Sequence, residues 1–135
     1  MILDDLADRL TTQSVATTGT DLFKGRMPPS PVEVIALFQT GGPAPINTMN
    51  AGPGTAILER PHVQALIRAC TAANASKRAQ DVYHALDALG PVTLNGIRYH
   101  AIWALQTPFF LRRDESDRVE YAVNFEVMRD LATSS

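Results

Sequence analysis

A chain of 135 residues, 45% hydrophobic and 19% charged, is expected to fold as one domain, 1–135, with a sizeable core, which excludes a disordered polymer. A formal net charge of −2 gives no global attraction to nucleic acid or anionic lipid, and the single cysteine, Cys70, excludes an internal disulfide framework. No apolar run is long enough to span a bilayer, and the acidic start "MILDDLADRL" lacks the basic region of a secretory signal.

Residues 2–13 are predicted to form a first helix, with Ile2, Leu3, Leu6 and Leu10 at helical spacing. Asp4, Asp5 and Asp8 lie in its early turns, where negative charge suits the helix dipole. "DLFKGRM" reads as a short strand before the break "PPSP". "VEVIALFQT" is apolar on both faces and predicts an inner strand covered on both sides. After a long loop, "ILERPHVQALIRA" alternates as a strand. Its Pro61 cannot donate a ladder hydrogen bond and so belongs at an edge or near the strand start.

"TAANASKRAQDVYHALDALG" is the strongest helix signal. Ala75, Ala79, Val82, Leu86 and Leu89 form one stripe, and Gly90-Pro91 is expected to stop it. "VTLNGIRYHAIWALQT" predicts a hairpin through Asn95-Gly96, pairing Leu94 with Ile97 and Val92 with Tyr99. A second hairpin turns through "RRDESDR" into "VEYAVNFEVM". There Val119, Tyr121, Val123, Phe125 and Val127 face one way, and Glu120, Asn124 and Glu126 the other. The expected fold class is α+β: an antiparallel sheet with two helices packed on one face.

Signals for chemistry are sparse. His62, His84 and His100 sit on different predicted elements without metal-ligand spacing; His84 reads as a solvated helix residue, and His62 and His100, which could meet in space, read first as satisfied sheet-surface histidines. Cys70, beside small residues, reads as a buried inert thiol. No nucleophile elbow, P-loop or dinucleotide fingerprint occurs. Asp114, Glu115 and Asp117 form an acidic run, and Arg112, Arg113 and Arg118 already supply its countercharge. That favours a solvated hairpin tip over a cation site.

The loop "TGGPAPINTMNAGPGT", residues 40–55, carries no charge, four glycines and three prolines. It reads either as a contact surface that can be buried without desolvating charge, or as a tolerated insertion. As a contact surface, Ile46, Asn47, Met49 and Asn50 are its candidate interface residues, together with Asp114, Glu115 and Asp117 at the hairpin tip. The loop is expected to be free in an isolated subunit and to order against a neighbour.

The run "LNGIRYHAIWALQTPFFLRRDESDRVEYAVNFEVMRD", with "MILDDLADRL", "VEVIALFQTGG" and "ERPHVQALIRA", resembles the bacteriophage minor capsid proteins allied to the tail terminators of long-tailed phages. The resemblance runs from Leu3 to Met128. It implies a structural virion protein of the neck region, made in the bacterial cytoplasm and shared with gene-transfer particles. It implies a homo-oligomer, a hexameric ring that caps the tail tube, stops its polymerisation and meets the head connector or stopper. DNA would pass through without specific binding. No catalytic residue, cofactor or metal is implied. The loop centre "APINTMN" and the helix segment "NASKRAQ" match no motif of that family. Two other readings stay open: a stopper or adaptor, and an oligomeric small-molecule enzyme with an intersubunit site built from His62, His100 and an acid such as Glu120.

Overall fold

The computed structural model describes residues 2–42, 46, 47 and 56–130. Their order is α1 (Ile2–Thr12), β1 (Leu22–Lys24), β2 (Val34–Gly41), β3 (Ile46–Asn47), β4 (Ala56–Glu59), β5 (His62–Ala69), α2 (Ala72–Leu86), β6 (Val92–Leu94), β7 (Ile97–Ala104), β8 (Phe109–Arg113) and β9 (Val119–Asp130).

The alternating apolar run that forms β9 makes it the spine of the sheet. Along one edge β5 pairs from Ala69↔Val119 to His62↔Glu126, and β4 continues with Glu59↔Arg129 and Leu58↔Asp130. The register does not change across Arg60 and Pro61, so β4 and β5 form one ladder broken at the residue that lacks a donor. Pro61 still accepts there, from the Val127 N–H at 3.0 Å. Along the other edge β8 pairs with the first part of β9 and β7 with the last part, each through a bulge. β6 flanks β7, β2 flanks β5, and β3 flanks β4.

The sheet is not purely antiparallel, as had been expected. β1 lies parallel to β2, with Leu22↔Ile35 and Lys24↔Leu37. The cause is local: the breaker-rich stretch 25–33 carries the chain back to the start of β2 instead of turning it in a hairpin. The described strands therefore form one mixed sheet within an α+β fold. Val32 is exposed and precedes β2, whose burial on both faces holds only for Val34–Leu37.

Both helices contribute to the same core cluster. Leu6 and Leu10 of α1 join Val82 and Leu86 of α2 over Ile35, Ile67, Val123 and Phe125, all fully buried. Such side chains contribute about 1.5–3 kcal/mol each when removed from water. Thr71 caps α2, its hydroxyl accepting from the Asn74 N–H at 3.2 Å. The helix ends at Leu86, earlier than Gly90-Pro91 implied. Asp87 turns out into extended backbone, and its carboxylate accepts from the Ala104 N–H at 2.8 Å. Leu89, read as part of the helical stripe, instead makes a two-way bridge to Ile102 at 3.0 and 2.8 Å.

The β6–β7 hairpin has the expected register, Val92↔Tyr99 and Leu94↔Ile97, with Asn95 and Gly96 at φ 50° and 81°. Gly90 sits at φ 131°, and a Cβ there would lie 2.7 Å from the His100 carbonyl oxygen. Gly90→Ala is therefore expected to destabilise the fold by about 1–3 kcal/mol, through backbone strain and the clash together. Urea unfolding of this variant beside the parent measures it. An unchanged midpoint would contradict the packing of this turn on β7.

Candidate functional site

The face of the sheet turned away from the helices carries a cleft at the β8–β9 end. The breakers at 28–31 leave carbonyls that need donors, and Arg68 supplies them from β5. Its Nη2 donates to Pro28 and Pro31 oxygens at 2.6 and 2.7 Å, and its Nε donates to Val32 at 3.1 Å. Arg68 is only 3% exposed. Burial, and then the nearby Arg118, push its pKa below the usual arginine value. Val34 and Ala36, the register partners of Arg68 and Leu66, are fully buried.

The hairpin tip forms the other wall. Arg113 pairs with Val119, and the turn closes with the Asp117 N–H donating to the Asp114 carbonyl at 2.9 Å and Asp117 at φ 63°. Asp114 organises this turn. Its Oδ1 accepts from the Ser116 and Arg118 N–H groups at 3.0 and 2.8 Å, and its Oδ2 accepts from Arg118 Nε at 2.7 Å. Desolvation alone would raise the Asp114 pKa, but the Arg118 backbone and guanidinium bonds hold it below the usual carboxylate range. Arg118 Nη1 also donates to the Pro29 oxygen at 2.6 Å, joining the two walls. Glu115 and Asp117 point to solvent, with Arg113 3.5 Å from Asp117.

Between the walls is a cavity of about 540 Å³. Met27, Pro29, Phe38 and Leu66 form its apolar side. Glu120, the register partner of Arg68, lies at its base and is 4% exposed. Arg112 Nη2 approaches Glu120 Oε1 to 3.1 Å as an ion pair, without the alignment of a hydrogen bond.

The opposite end of β9 carries the limbs of the long loop. Ile46 and Asn47 pair with Leu58 and Ala56, so the segment read as unpaired contains a short ladder, β3–β4, outside β9. Met49 and Asn50 lie outside the described residues. A buried polar group holds the base of this arm. The Tyr99 hydroxyl donates to Asp5 Oδ2, Asn95 Nδ2 donates to Asp5 Oδ1 at 2.6 Å, and Arg129 Nη1 donates to the Tyr99 oxygen at 3.1 Å. Arg129 Nε bonds Glu59 at the end of β4. Asp5 is 1% exposed; its position suggested only a dipole role on α1. Nothing in the spacing of Asp5, Tyr99 and Arg129 announces their meeting.

Within one chain, each of the three groups of the intersubunit enzyme reading has its own partner. His62 is bonded to Glu126 at 2.8 Å, His100 to Asp130 at 2.7 Å, and Glu120 pairs with Arg112. Cys70 is exposed at the end of β5, not buried as expected. Among the described residues no group of three His, Cys, Asp or Glu side chains is arranged to hold a metal ion. No helix there is long and apolar enough to cross a membrane.

A family profile described as "Bacteriophage tail terminator protein" matches residues 9–131, which is most of the chain. The chain belongs to that family. The tail terminator profile takes in both ends of β9, with the arm and the cleft. No curated sequence matches this family member significantly. Among solved structures, a chain of the "Virion of native gene transfer agent (GTA) particle" is similar in fold. Its TM-score is 0.67 at 17% identity, with 96% of this chain and 95% of that chain covered.

Proposed function

We propose that this tail terminator family member is a structural, non-enzymatic virion protein at the head-proximal end of a tail tube, in a phage or gene-transfer particle. Its subunits form a hexameric ring that ends tube growth. One side meets the tail tube protein and the other the head connector or stopper. The family match over residues 9–131 carries this reading. DNA passes through the ring without being gripped, in keeping with a net charge of −2. Ile46, Asn47, Met49 and Asn50 on the arm, and Asp114, Glu115 and Asp117 at the tip, are the proposed contact residues.

Light scattering on purified protein should show a concentration-dependent shift to a closed oligomer, because weak ring contacts follow mass action. Negative-stain images at high concentration should show six-fold rings. A chain that stays monomeric even inside assembled particles would overturn the ring. A ring located away from the tube end in a particle map would favour a stopper or adaptor.

A further inference from the structure

We infer that the cleft on the helix-free face is the socket for the arm tip, residues 48–55, of a second copy of this chain. The inference rests on the ring reading above and names the contact that closes the ring.

Geometry rules out the arm of the same chain. The arm is built on Asp130 and the cleft on Glu120, ten steps along β9, or about 33 Å at the usual strand rise. Residues 48–55 must leave Asn47 and return to Ala56, which limits their reach to about 16 Å. An arm at one end and a socket at the other make a heterologous, head-to-tail contact. Repeated around an axis, that is the kind of contact that closes a ring.

Chemistry selects the occupant. The buried polar groups of the cleft are largely engaged from within: Arg68 donates to proline-segment carbonyls, and Asp114 and Glu120 pair with Arg118 and Arg112. Glu115 at the open rim is the charge of the lining left to solvent, so a charge carried into the buried part of the cleft would be desolvated without a partner, whereas a neutral group avoids that penalty. "TMNAGPGT" is neutral. Met49 suits the wall of Met27, Pro29, Phe38 and Leu66, since its flexible thioether fills irregular apolar space. Glu120 Oε1 is buried and accepts no hydrogen bond. The Asn50 amide or a tip backbone N–H supplies the missing donor.

A pair of cysteines tests this in a Cys70→Ser background, with Met49→Cys on the arm and Ser116→Cys on the exposed rim of the cleft. Each single variant can link at most two copies. The double variant, oxidised at concentrations where rings form, is expected to give a covalent ladder beyond the dimer. Met49→Cys with Lys77→Cys on α2 should give at least tenfold less. Ser116→Trp, at an exposed turn position whose backbone bond it keeps, should raise the concentration for half-assembly at least tenfold. If rings form but the ladder stops at the dimer and Ser116→Trp assembles like the parent, the socket is overturned and the ring stands. If the parent forms no oligomer at any concentration or in particles, both fall.

Discussion

Phe125→Ala is expected to lower stability by about 3–5 kcal/mol, the range for emptying a fully buried aromatic site. Phe125 is fully buried at the centre of β9, paired with Val63 on one edge and Ala104 on the other. It stands in the cluster shared by both helices, so neither edge of the sheet can close over the cavity without moving a helix. A loss of this size is a large share of the total stability of an ordinary domain. The variant should fail to assemble because it fails to fold. Chemical denaturation followed by circular dichroism measures the effect, and a midpoint equal to that of the parent would show that β9 faces the other way.

Removing Arg129 should have a comparable effect by a different route. Its guanidinium bonds Glu59 and Tyr99 and lies 3.6 Å from Asp5, a carboxylate that is almost fully buried. Arg129→Met leaves Asp5 without its cation, and the expected cost is about 3 kcal/mol. The Asp5→Ala, Arg129→Met double variant should lose less than the sum of the singles by about 1 kcal/mol or more, since Arg129→Met no longer strands a buried charge once Asp5 is gone. Strict additivity would show that the groups act independently.

The same group gives alkaline sensitivity. Burial, and then the bond to Asp5, raise the Tyr99 pKa above its ordinary value of 10.0. The stability this contributes is fully present below about pH 10 and is lost as pH rises further, when the unfolded chain releases a proton that the folded chain keeps. Tyr99→Phe should flatten that alkaline loss.

Much of this fold was legible in the residues. Hairpins announce themselves by short-range chemistry, and Asn95-Gly96 set the Val92↔Tyr99 register without help from the rest of the chain. β9 was readable because its alternation is long enough to leave one facing only. The parallel β1–β2 pair was not readable, because its direction depends on where stretch 25–33 returns the chain. Buried Arg68 and Asp5 were hidden for the same reason: each is satisfied by partners distant in sequence, at Pro28 and Pro31 and at Asn95 and Tyr99. The arm was visible as a neutral, breaker-rich stretch. Its β3–β4 pairing was not, because prolines and glycines on either side mask two paired residues.

The unbroken register of β4 and β5 on β9 has a mechanical consequence. Tension applied between the arm and the hairpin tip acts along the strand axis. It loads the ladders on both edges of β9 in shear, so that many hydrogen bonds must yield together. Tension across the strands would open them one at a time. Asp130 and Val119 are the two ends of that load path, and Pro61 interrupts only one donor along it. The subunit is therefore stiffest along the line joining its two proposed contact points, and a ring linked through them would resist being stretched open from within.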